Sequence, residues 1–254
     1  MDHSDELDDF ITIELQPREA VIGRLVVLRA LVERSLLEAV AEQEGHSDEV
    51  EERRFDLLAE LLASRAGASL TPEELKLLQT PIDQLPDEES TPMILAAEAF
   101  GAIGHACGLI RELPLPPIPV GGNEELLEHI LSLSVEDIEA NATLPTEEEA
   151  AALLEVIEVV HWRVDVEFGA RLNGGELTSE EKESIASVAK EAELSGLFHT
   201  YPSGDLRIGN KPVRKWSDEE VEMYYVVTLQ QRDALAWLCS NGQDWIVIAD
   251  EDEE

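Results

Sequence analysis

The chain has 254 residues, enough to bury one substantial core, and 44% of them are hydrophobic, which excludes an acidic disordered chain. Its 56 Asp and Glu against 18 Lys and Arg leave a formal charge of −38. Such a surface repels phosphate backbones and anionic bilayers, so direct nucleic-acid binding and membrane binding are both disfavoured.

In chain order, residues 1–10 are an acidic lead-in, and 11–15 alternate as a short strand does. A helix begins at Pro17, a favoured first-turn residue, and runs to about Glu44 before Gly45. Val21, Leu25, Leu28, Val32, Leu36 and Ala39 share one stripe of it. Asp48 with Glu51 makes a capping box for a second helix, with Phe55, Leu58, Leu61 and Leu62 as its core face and Gly67 as its stop. The S/T-x-x-E start signature recurs at Thr71, Thr146, Thr178 and Ser217, where the hydroxyl accepts from an early N–H and the carboxylate reaches back. Asn123 and Ser134 read as simpler N-caps.

Thr91-Pro92 opens another helix, in which Gly101, Gly104 and Gly108 would admit a neighbouring helix. These glycines follow no strand, so they do not read as a phosphate cradle. Residues 113–122 hold four prolines and form an extended connection. A long apolar helix is predicted over 146–173, ended by Asn173-Gly174-Gly175 and packed on a helix over 218–239. Between them lie a helix over 179–193 and a β-hairpin over 197–208, turning at Pro202-Ser203-Gly204-Asp205. An apolar run, 245–249, and an acidic tail, 250–254, close the chain. The fold class is therefore mainly α: a single multi-helix domain over 11–249 with a small β-hairpin, and with room for two lobes joined by the 113–122 linker.

The polar residues within apolar stretches are the candidates for chemistry. Glu158, His161 and Asp165 have helical spacing, and Glu158-x-x-His161 is half of the motif of helical di-metal proteins. No second copy occurs; Glu98 and His105 could complete a smaller site. The alternative is a mutually satisfied polar network of Glu98, His105, Glu158, His161, Asp165, Arg171, Arg232, Asp233 and Trp237, since buried charges must be paired. That reading is preferred, with no catalytic residue, metal or cofactor assigned. Arg207, Lys211, Arg214 and Lys215 form a basic cluster that either neutralises an acidic neighbour or offers an anion site. Cys107 and Cys239 read as small buried hydrophobes of a cytoplasmic protein. The start is acidic where a secretory signal is basic. Residues 93–110 contain Glu98 and His105 and are rich in Ala and Gly, as in a buried helix rather than a membrane span.

Ala170-Arg171-Leu172-Asn173-Gly174, the later Arg232, Ala234-Leu235 and Trp237-Leu238, and Gly242-Gln243-Asp244-Trp245 resemble the bacterial family called domain of unknown function 4272. Residues 17–21 and 98–114 add to the likeness. Gly169 stands where the family tends to carry an acidic residue, and Ile246-Val247-Ile248-Ala249 intervenes before Asp250. The resemblance implies a compact, mostly helical, cytoplasmic bacterial protein and brings no activity with it.

The charge itself reads as a solubilising surface, as adaptation to salt, or as nucleic-acid mimicry with carboxylates in place of phosphates. Many Glu fall in first helical turns, where the helix dipole accounts for them, which favours the first reading. The expected function is a non-catalytic, protein-binding module with an acidic surface and another protein as partner. The rivals are an enzyme or metal-binding protein built on the Glu/His/Asp cluster, and a nucleic-acid mimic. Oligomeric state is left open.

Overall fold

A computed structural model describes residues 13–113 and 119–245. Its first helix, α1 (Arg18–Glu44), lies at the centre. Residues 21–28 of α1 are buried on every side, so the expected stripe widens to include Ile22, Val26 and Val27, while Leu36 and Ala39 are only half-buried. A helix enclosed all round gains from each apolar residue it covers, roughly 1.5–3 kcal/mol for a fully buried Leu or Val.

Around α1 pack α2 (Asp48–Ala63), α3 (Pro72–Gln79) and α4 (Asp87–Ala106). The N-cap of α2 is Ser47, whose hydroxyl accepts from Val50 N, and not Asp48. Glu51 is drawn off to Arg54, so the anticipated box does not form. The inner face of α2 is Arg54, Leu57 and Leu61; Phe55 and Leu62, expected in the core, are 57% and 52% exposed. The helix ends at Ser64 ahead of Gly67, which falls in a 3-10 turn, Arg65–Ser69.

α4 starts five residues before Pro92 and carries that proline within its second turn. The lost N–H rung costs less than the burial of Met93, Ala96, Ala97, Phe100 and Ile103 beyond it gains. What meets its glycines is not a helix. A Cβ on Gly101 would come within 2.6 Å of Val120, in a 3-10 turn Val120–Gly122, and Gly108 is a positive-φ residue past the helix end.

The second part comprises α5 (Glu124–Ser132), α6 (Val135–Asn141), α7 (Glu147–Leu172), α8 (Ser179–Ser195) and α9 (Asp218–Leu238). The capping boxes at Thr71, Thr146, Thr178 and Ser217 are all present, and Ser134 forms a fifth with Asp137. α9 packs on both α4 and α7, linking segments on either side of 114–118. One apolar cluster joins α1 and α4 to the end of α9; another joins Val160 and Val164 to Leu206, Val213, Trp216, Val221 and Tyr224.

The β-hairpin over 197–208 is absent. A single antiparallel bridge, Thr200 to Leu206, spans a tight turn in which Tyr201 N donates to Asp205 O at 2.8 Å. Pro202 and Gly204 take up the middle of the segment, and a lone hairpin this short has too few rungs to hold itself; Leu206 and Ile208 pack into the α7–α9 cluster instead. The 11–15 strand likewise reduces, over its described part, to one parallel bridge between Glu14 and Ser240. Residues 1–10, the prolines at 114, 116 and 117, and the 246–254 end lie outside the described residues. Among those described, no helix is long and apolar enough to cross a membrane.

Candidate functional site

The face of α7 that meets the core differs from the one expected to carry chemistry. Val160, Arg163, Val164 and Glu167 point inward, whereas Glu158 and Asp165 are exposed. His161 sits at the edge of the inner face, buried, its Nδ1 3.0 Å from Thr228 Oγ1. The Thr228 hydroxyl donates to Tyr224 O at 2.7 Å, so it accepts from His161 and fixes the Nδ1–H tautomer. Burial, reinforced by Arg232, pushes the imidazole pKa below its ordinary value and keeps the ring neutral.

The nine residues of the anticipated network are thereby divided: Asp165, Arg232 and Asp233 stay close enough to act on the His161 imidazole through their charge, and the others lie elsewhere. Glu98 is buried on α4, accepting from Val120 N at 3.1 Å, Gly121 N at 2.9 Å and Gln231 Nε2 at 2.9 Å; burial raises its pKa against these three donors. His105 faces Ile110 O at 3.1 Å, on a cleft that also holds His129. Arg232 pairs with its neighbour Asp233 at 2.7 Å, both half-exposed, and Trp237 stacks edge-on against Trp245. Charges that need no partner face water; that is the physical reason Glu158 and Asp165 left the buried set. Among the described residues, no three His, Cys, Asp or Glu side chains converge as metal ligands would.

Arg171 belongs to a different cluster, centred on a residue the expectation omitted. Arg163, 1% exposed, donates from Nε and Nη2 to both oxygens of Asp205, at 2.7 and 2.9 Å, and from Nη2 to Glu167 at 3.2 Å. Arg171 reaches Glu167 at 3.4 Å, Trp216 O at 2.9 Å and Asp218 at 2.7 Å. The spacing Arg163, Glu167, Arg171 repeats every four residues and was a readable signal of one charged helix face. Asp205 was not readable, because it arrives from the turn mistaken for a hairpin.

This cluster borders a cleft of about 1010 Å³. From the basic cluster, Lys211, Arg214 and Lys215 line it; Arg207 does not, and lies 5.9 Å from the Tyr201 ring. Lys211 pairs with Glu220 at 2.8 Å. Lys182 of α8 completes the cationic rim.

Neither cysteine is an activated nucleophile. Burial lifts the Cys107 thiol to about 12 and Cys239 to about 11, far above the range in which a thiolate reacts. Residues that carry the family resemblance hold structural posts: Gly174 takes positive φ at the end of α7, and Trp237 with Trp245 packs on the α1 core. No family model matches the chain, and no curated protein or solved structure shows significant similarity to it.

Proposed function

We propose that the protein works by binding, as a non-catalytic cytoplasmic module that takes a basic protein segment on its acidic exterior. The observation that carries this reading is the outer face of α2. Phe55 and Leu62 are more than half exposed there, with Ala59 between them, and Glu52, Asp56 and Glu60 flank them. Arg53 is spent on Glu33 and Glu60 and Arg54 lies under Phe55, paired with Glu51, so the rim stays acidic on balance; apolar anchors with such a rim suit an amphipathic partner of the opposite sign. The four deepest arginines, Arg24, Arg34, Arg54 and Arg163, are turned inward, which leaves the exterior still more anionic. The buried thiols and the neutral, hydrogen-bonded His161 support a role without catalysis. Membership of the domain of unknown function 4272 family is proposed alongside, on the 170–174 and 232–245 motifs.

Affinity capture at moderate salt tests the reading. A partner held by the native chain should be lost with Phe55→Ser/Leu62→Ser and, separately, with Glu52→Lys/Asp56→Lys. A partner retained by both variants would overturn it.

A further inference from the structure

The cleft beside Arg163 departs from the rest of this surface. Five of its lining residues are cations, Arg163, Lys182, Lys211, Arg214 and Lys215, and Asp205 is the one carboxylate, on a chain with 18 basic residues against 56 acidic. Asp205 is already bound by Arg163 and Lys211 by Glu220. Arg214 and Lys215, exposed on a 3-10 turn Val213–Lys215, make no ion pair among the described residues. Lys182 lies on the same cleft from α8. Beneath them Arg163 keeps one guanidinium nitrogen, Nη1, with no hydrogen-bond partner. Unpartnered guanidinium nitrogens occur on Arg24, Arg29 and Arg34 too, but none of those three lines this cation-rimmed cleft. Leu177, Ile185 and Pro202 give the cleft an apolar wall.

We propose that this cleft binds a small phosphate monoester with an apolar body, its phosphate held by Lys182, Arg214 and Lys215 and its body against Leu177, Ile185 and Pro202. A phosphate monoester carries close to two charges at neutral pH, which matches cations left over after internal pairing. The chain's distant carboxylates do not forbid it. The Debye length is about 10 Å at 0.1 M salt, so their repulsion is screened while contacts inside the cleft are not. An extended polyanion fits worse, since it would run out over α8 and α9, whose outer faces expose Glu183, Glu191, Asp218, Glu219 and Glu222. The proposal concerns a face other than that of α2, so the two stand or fall separately.

Calorimetric titration of the full chain at about 0.1 M salt with phenyl phosphate, inorganic phosphate and phenol tests it. Phenyl phosphate should saturate one site and bind more tightly than inorganic phosphate, and phenol should give no saturable heat. Arg214→Gln/Lys215→Gln and Lys182→Gln, all at exposed positions, should each weaken phenyl phosphate roughly tenfold or more with an unchanged melting temperature. Lys190→Gln, exposed on α8 and absent from the cleft lining, should leave it unaltered. Absence of saturable phenyl phosphate binding, equal affinity for inorganic phosphate, or native affinity in the Arg214/Lys215 variant overturns the proposal.

Discussion

Arg24 and Arg163 are each almost wholly buried and each held by carboxylate, yet their surroundings differ in kind. Arg24 pairs one-to-one with Glu74, donates to Ser69 O at 2.6 Å and lies 4.5 Å from the centre of the Trp245 ring. The space beside Glu74 and Trp245 is about 20 Å³, room for about one water. Glu74 spends its other oxygen on Thr71 N, so the pair also starts α3. Arg54 and Arg34 then finish that helix, donating to the carbonyls of Leu78, Gln79 and Thr80 at 3.0 to 3.1 Å. These arginines hold a short helix at both ends, Arg54 paired also with Glu51 and Arg34 with Glu38. Arg163 sits between two acids, one of them shared with Arg171, and opens onto a cleft. A buried arginine is thus ambiguous alone; the space beside it and the charge of its rim separate a structural part from a binding one.

The sharpest way to break this contrast is by neutralisation. Arg24→Met should cost roughly 3–5 kcal/mol, because Glu74 is left buried without a counter-charge. Adding Glu74→Leu should recover much of the loss, short of about 1 kcal/mol for the capping bond from Thr71 N, since a dry pair is often replaceable by apolar packing of similar volume. Arg163→Met should cost a similar amount, but pairing it with Asp205→Leu should recover less, because Glu167 stays behind. Urea denaturation of the four variants measures this; equal recovery in both would erase the distinction.

Gly101 and Glu98 come next, since one admits the turn that the other binds. Gly101→Ala should cost about 1–3 kcal/mol by pushing Val120 off α4, seen as a lower denaturation midpoint. Glu98 then sets a pH dependence. Its folded pKa lies above the ordinary glutamate value, so the folded protein keeps this proton to higher pH than the unfolded chain does. Its contribution is complete below the ordinary glutamate range and is lost as pH rises through the raised value. Glu98→Gln should lack that falling limb, which then appears as a pH-dependent difference between native and variant stability. A difference that stays flat with pH would contradict it.

Much of the fold was legible because helix starts are written locally. Thr71, Thr146, Thr178 and Ser217 each needed only a hydroxyl and a carboxylate three residues on. The site was less so. Which face of α7 turns inward depends on α9 and the 197–216 segment, so Glu158 and Asp165 were credited with burial that Arg163 and Glu167 have. Phe55 was misplaced for a like reason: its spacing fits a core face, but the side of α2 that meets α1 belongs to Arg54 and Leu57. Lys211, Arg214 and Lys215 stood out as a rare cluster of one charge, whereas Asp205 needed the turn to be seen in space.

The smallest expected effects lie at two exposed helix starts, those of α7 and α9. Thr146→Ala removes a capping box at the exposed start of α7 and should cost about 1 kcal/mol. Asp218 makes a 2.7 Å contact with Arg171, as short as the buried Arg163–Asp205 contact, yet its side chain is 93% exposed. Water already solvates that carboxylate, and Arg171 keeps Glu167 and Trp216 O when it is gone. Asp218→Asn should therefore cost under about 1 kcal/mol, part of it from lost negative charge at the start of α9. A loss near that of Arg163→Met would mean that the network acts as one unit out to its rim, and that distance outweighs exposure in this cluster.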